Sequence, residues 1–128
     1  MSTNPAALPV VCDLSVFSPE QRKAHIELTQ RVFMDWATRH ESIEDGLLIV
    51  VEGDEARFLE VARWASEEHQ CCAWLTFTVT ITSFPHGTAG RIELRLTSAT
   101  DEGQAFVGAA IGQLLAQGIG NAEQRKAG

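Results

Sequence analysis

The chain is short of positive charge. It has 10 Lys and Arg against 17 Asp and Glu, a formal net charge of −7, and its basic residues cluster no further than the pairs Arg22-Lys23 and Arg125-Lys126. Nucleic acids and anionic membrane surfaces are bound by basic stripes, so neither is an expected partner. Long apolar runs are missing as well. Purely apolar stretches reach only five residues, as from Leu47 to Val51, far below the ~20 residues a membrane helix needs. The first nine residues carry neither a basic segment nor an apolar one and do not read as a secretion signal, so the expected location is cytoplasmic. Cysteine is sparse: three residues, an odd number, with no Cys-x-x-Cys pair. In a reducing compartment these are expected to be thiols, outside any complete disulfide framework. There is no phosphate-cradling glycine loop, no nucleophile elbow, no His-Glu-x-x-His stretch and no internal repeat.

What is present is ordinary globular material, 45% hydrophobic and 21% charged over 128 residues. That is enough for one domain with its own core. The pattern divides into a loose leader (1–9), one domain (10–117) and a fraying tail (118–128). Val10 to Leu14 reads as a short first strand. Ser18-Pro19-Glu20-Gln21 has the order of a helix opening, with a capping Ser, Pro at the first helical position and Gln at the third. Leu28, Val32 and Trp36 then recur at steps of four, and His25 extends the stripe by a turn, so the spacing predicts a helix from about Pro19 to Arg39.

After the turn at Glu44-Asp45-Gly46, Leu47 to Val51 predicts a strand buried on both faces. Asp54 is placed to cap a second helix with Phe58, Val61, Ala62 and Ala65 inward, followed by His69 or Cys72. Leu75 to Ser83 alternates apolar residues with threonine, and Arg91 to Thr97 returns with Ile92, Leu94 and Leu96 inward, across a loop containing His86. Thr100 or Asp101 opens a third helix carrying Phe106, Ala110, Ile111, Leu114 and Leu115, closed by Gly118. Within it, Gly108-x-x-x-Gly112 is expected to let a neighbour pack closely. The expected fold is α+β: a mixed sheet of about four strands in β-α-β-α-β-β-α order, with helices packed on one face.

The candidate chemistry is concentrated in Glu68-His69-Gln70-Cys71-Cys72, at the end of the second helix. Residues three and four apart share a helix face, which stacks Glu68 over Cys71 and Cys72, and His69 over Cys72. Thiolate and imidazole together suit zinc and softer ions, and a carboxylate or imidazole beside a thiol can assist its ionisation. Two facts oppose this. Adjacent helical cysteines point about 100° apart and do not easily share an ion unless the helix ends between them. A helix C-terminus also raises a thiol's pKa. The bland reading is that these cysteines pack as small hydrophobes. Cys12 and His25 join the set only if the segment from Val10 to Leu14 and the second helix are neighbours.

Cys12-Asp13-Leu14, Ser18-Pro19-Glu20-Gln21-Arg22 with His25, Glu68-x-x-Cys71-Cys72 and Leu94-x-Leu96-Thr97 resemble a family of small, largely uncharacterised bacterial proteins. Its pattern has Cys-Asp-Leu near the start, a Pro-Glu-x-Arg helix opening with a His, and a central Glu-Arg-x-Cys-Cys-Pro-Phe. The likeness spans roughly residues 12 to 107. This chain carries His69 in place of the family's Arg, and Ala73-Trp74 in place of Pro-Phe, so it lacks the proline that would stop the helix after Cys72. The resemblance implies no established activity, but it selects Cys12, His25, Glu68, Cys71 and Cys72.

The first reading is therefore a thiol-containing protein that binds zinc, copper(I) or mercury(II). Its expected metal ligands are Cys12, His25, Cys71 and Cys72, with Glu68 and His69 in support. The second is a non-catalytic ligand-binding or interaction module, homodimeric through a sheet edge or the Gly-rich helix, whose cysteines are core. The third is a thiol-dependent enzyme in which Glu68 or His25 activates a cysteine.

Overall fold

A computed structural model describes residues 10, 12–82 and 90–112. The leader 1–9, the loop with His86, Leu114, Leu115, Gly118 and the tail lie outside the described residues, as does the side chain of Ala110. No helix among the described residues is long and apolar enough to cross a membrane.

The elements are α1 (Pro19–Gln30), β1 (Ala37–Ile43), β2 (Gly46–Gly53), α2 (Glu55–Cys71), β3 (Thr76–Thr82), β4 (Gly90–Thr97) and α3 (Asp101–Phe106). The α+β class and the four-stranded sheet are as expected, with strands in the order β1-β2-β4-β3. Every pairing is antiparallel, however, so the sheet is not mixed. The described elements run α-β-β twice and are followed by α3, with β2 and β4 side by side at the centre of the sheet. No repeat in the sequence marks this.

Two expected elements are corrected, and they explain the change of topology. Of the segment from Val10 to Leu14, the described residues Val10, Cys12, Asp13 and Leu14 are in no strand. Asp13 turns its carboxylate onto the N–H and hydroxyl of Ser15 (3.0 and 2.5 Å) and caps a single 3₁₀ turn, Leu14–Val16. A side chain that bonds its own local backbone competes with a strand ladder. The long first helix ends early. It passes through a wider π turn, Arg31–Trp36, and at Ala37 the backbone becomes extended (φ −65°, ψ 127°). β1 was invisible to pattern reading because Ala37-Thr38-Arg39-His40-Glu41-Ser42-Ile43 is a mostly polar edge strand, held by its hydrogen bonds to β2.

The other starts follow the expected chemistry. Ser18 and Gln21 form a reciprocal capping box: the Gln21 N–H donates to Ser18 Oγ (3.2 Å) and the Ser18 N–H to Gln21 Oε1 (2.9 Å). Asp54 accepts from the Arg57 N–H at 3.0 Å, and Thr100 from the Gly103 N–H at 3.1 Å.

Leu47, Ile49 and Val51 of β2 join Ile92, Leu94 and Leu96 of β4 in the core that Leu28, Val32, Val61 and Trp64 cover from the helices. Leu48 and Val50 point to the other face and are also buried, as expected for β2. Their register neighbours there are Glu41, Arg95, Arg39 and Glu93, long side chains whose stems can cover apolar surface. Gly46 is required where β2 meets β4, since a Cβ would overlap the Leu96 carbonyl oxygen. At Gly108 and Gly112, where close packing was expected, a side chain would meet no described atom within 4 Å.

Candidate functional site

The end of α2 builds the site. Helical hydrogen bonding continues one step past the helix, with the Cys72 N–H donating to the Glu68 carbonyl at 2.8 Å, but Cys72 itself leaves helical geometry (φ −119°, ψ 66°). The helix therefore ends between the two cysteines without a proline, and their sulfurs lie only 3.6 Å apart. The Cys71 carbonyl, which has no partner within the helix, accepts the N–H of Asp13 at 2.8 Å. That bond brings the N-terminal segment onto the end of α2 and sets Cys12 beside Cys72, their Cα atoms 4.6 Å apart.

Cys12 and Cys72 are joined by a disulfide, and Cys71 is left as a buried free thiol. This corrects the expectation of three thiols. An odd cysteine count excludes a complete disulfide framework, but it does not exclude one bridge, and a bridge across 60 positions is set by tertiary neighbours that no spacing rule displays.

His25 arrives from α1. Its ring lies between two carboxylates of α2, with Nδ1 3.0 Å from Glu67 Oε1 and Nε2 2.5 Å from Glu68 Oε2. The ring is 4% exposed, stacked on Trp64 (interplanar angle 8°) and tilted against Phe17. The Trp64 indole N–H donates to Thr29 Oγ1 (2.9 Å), and the Thr29 hydroxyl donates to the His25 carbonyl (2.8 Å). Burial disfavours charge on His25, but the hydrogen bonds and charges of Glu68 and Glu67 outweigh it, leaving the pKa above its ordinary 6.5.

Glu68 is the hub. One of its oxygens faces His25, and the other lies 3.4 Å from Cys72 Sγ. The Cys71 thiol donates to the Glu68 carbonyl at 3.3 Å. Burial, followed by the Glu68 charge, pushes the Cys71 pKa from 9.0 up to about 11, so Cys71 is protonated and a poor nucleophile at neutral pH. The third reading, as it applies to a thiol activated by Glu68, loses its candidate here: at Cys71 the carboxylate opposes ionisation.

The structure thus brings together Cys12, His25, Glu68, Cys71 and Cys72. Their donor atoms form two overlapping groups, Cys12–Glu68–Cys72 and His25–Glu68–Cys71, each with atoms within 4.8 Å of one another and so compact enough to hold a metal ion. His69 is not brought in. It is exposed, its Nδ1 pairs with the Leu75 carbonyl (3.2 Å), and its ring meets Phe77 edge-on. Reading the sequence missed Glu67, Trp64 and Thr29 as partners of His25. The one signal present was the pair Glu67-Glu68, whose two carboxylates grip opposite nitrogens of a ring 42 and 43 positions away.

Comparison with protein-family models, with curated proteins and with solved structures finds no match for this chain. The likeness of its short motifs to a bacterial family therefore gains no support from those comparisons.

Proposed function

We propose that the chain, once Cys12–Cys72 is reduced, binds one soft or borderline metal ion through cysteine sulfur, with His25 and Glu68 completing or ordering the shell. The observation that carries this reading is the convergence of five donor residues from three separate segments on the end of α2. Three sulfurs and an imidazole are the donor set of copper(I), mercury(II) or zinc, and not of a hard cation such as magnesium. Thiols must lose their protons to ligate. The raised pKa of Cys71 therefore favours ions with the strongest thiolate bonds, copper(I) and mercury(II), over zinc.

The test is a competition titration of the reduced, reductant-free chain with each of the three ions. Binding near one equivalent is expected, and C71S/C72S abolishes it. Unchanged binding in that double variant overturns the reading.

A second reading is favoured by the burial of Cys71 and Cys72, which are 4% and 1% exposed and part of the hydrophobic core. On that view the sulfurs pack and cross-link, and nothing binds there. The same titration separates the two, since a purely structural cluster takes up no ion in either redox state.

A further inference from the structure

Beside the disulfide lies a pocket of about 230 Å³. Phe33, Trp74, Leu75, Phe106 and Ile111 give it apolar walls, Thr29 and Glu68 are its polar members, and Cys12 and Cys72 both line it. The two sulfurs are not equivalent. Cys12 is exposed, whereas Cys72 is buried with Glu68 3.4 Å from its sulfur. A disulfide is opened by a thiolate that attacks the sulfur it can reach, and the other sulfur leaves. The geometry therefore has an exposed cysteine, a buried partner with a carboxyl group beside its sulfur, and an apolar chamber adjoining both. An engineered cavity of about 150 Å³ takes benzene, so this one has room for an aromatic ring bearing a short side chain.

We propose that this pocket binds a small thiol with an apolar body and that the thiol exchanges with the Cys12–Cys72 disulfide. The incoming R–SH forms an R–S–S bond to Cys12 Sγ as the Cys12–Cys72 bond breaks and its electron pair passes to Cys72 Sγ. The proton lost by the incoming thiol ends on Cys72 Sγ, with Glu68 as the carrier. A second thiol of the same class then attacks the mixed disulfide, releasing R–S–S–R and leaving the dithiol. Two thiols are oxidised and one disulfide is reduced, so the electrons balance. Burial of Cys72 directs the attack, Glu68 carries the proton to the departing sulfur, and the aromatic walls select an apolar thiol over a hydrophilic one. The exchange needs no metal. Its failure and the failure of metal binding are thus separate results, although exchange would also free the sulfurs that the metal reading requires.

The experiment uses the oxidised 128-residue chain with 2-phenylethanethiol and 2-mercaptoethanol, alkyl thiols of similar acidity. Their rates are normalised to those on oxidised glutathione, and acid-trapped adducts are mapped by mass spectrometry. The apolar thiol is expected to react about tenfold faster, a preference that asks for less than two fully buried methylenes, and to form its adduct on Cys12. Phe106→Ser, at a partly exposed wall position, removes the preference. Benzyl alcohol, which can fill the same space without a thiol, competes with 2-phenylethanethiol in the unaltered chain and supplies the same test should Phe106→Ser misfold. Equal normalised rates, an adduct confined to Cys72, a preference that survives in folded Phe106→Ser, or no competition by benzyl alcohol would each overturn the proposal.

Discussion

Asp13 donates its backbone N–H to the carbonyl oxygen of Cys71 at 2.8 Å, and through that bond the N-terminal segment docks on the end of α2. A helix leaves its last carbonyls without internal partners. Here one of them is satisfied by a residue 58 positions earlier in the chain, and the immediate neighbours of that pair, Cys12 and Cys72, are left within bonding reach. The cross-link, the pocket beside it and the cluster around Glu68 all depend on this docking.

Removing the cross-link should cost stability. In the chain-entropy account, closing a loop of this size contributes about 4 kcal/mol, with a wide range around it. Cys12→Ser is expected to unfold at clearly lower urea than the oxidised parent and to be insensitive to added reductant. A loss below about 1 kcal/mol in equilibrium unfolding would show that docking at Asp13 and Cys71 holds the segment without the bond.

Cys71 should resist alkylation. Its thiol is buried, donates to the Glu68 carbonyl and has its pKa raised to about 11. Iodoacetamide is expected to leave it almost untouched in the native chain at pH 7–8, to react increasingly as pH approaches 11, and to react readily in denaturant. Native labelling that titrates near an ordinary thiol value would show that Cys71 is neither buried nor opposed by Glu68.

His25 should make stability depend on pH in a definite direction. Its pKa is higher folded than unfolded, so the folded state binds the proton more tightly. The contribution is fully present below the unfolded value of about 6.5 and is lost as pH rises through the folded value. Thermal unfolding should therefore show the parent losing stability between about pH 6 and the alkaline side of neutrality. His25→Gln should lose less over the same interval. Parallel profiles for the two would mean that the ring is not held charged between Glu67 and Glu68.

Metal uptake should depend on redox state. With Cys12 and Cys72 joined, two of the three sulfurs cannot act as thiolates. Copper(I), mercury(II) or zinc should bind the oxidised chain substoichiometrically and the reduced chain near one equivalent, as read by elemental analysis after desalting. Equal loading of both states would place the ion away from the Cys12–Cys72 pair.

Much of the fold was legible because it rests on local chemistry. Ser18 with Gln21, Asp54 and Thr100 announce helix starts through side chains that satisfy nearby N–H groups. The apolar alternation of Ile92, Leu94 and Leu96 gives a half-buried strand by period alone. Glu68, Cys71 and Cys72 were legible as a cluster because three- and four-residue spacing is itself local geometry. β1 was not, since a polar edge strand shows no apolar period and exists through its ladder to β2. Its presence ended the first helix early and made the sheet antiparallel.

The chain by itself therefore determined the class of fold, the helix starts, the central strands and the Glu68–Cys72 cluster, all of which follow from periodicity and capping over a few residues. Tertiary structure decided that Cys12 reaches Cys72, that His25 lies between Glu67 and Glu68, that His69 faces away, and that one sulfur stays free. Those outcomes depend on which distant groups satisfy a helix's unpaired carbonyl and a buried ring's two nitrogens, and residue spacing carries no record of either.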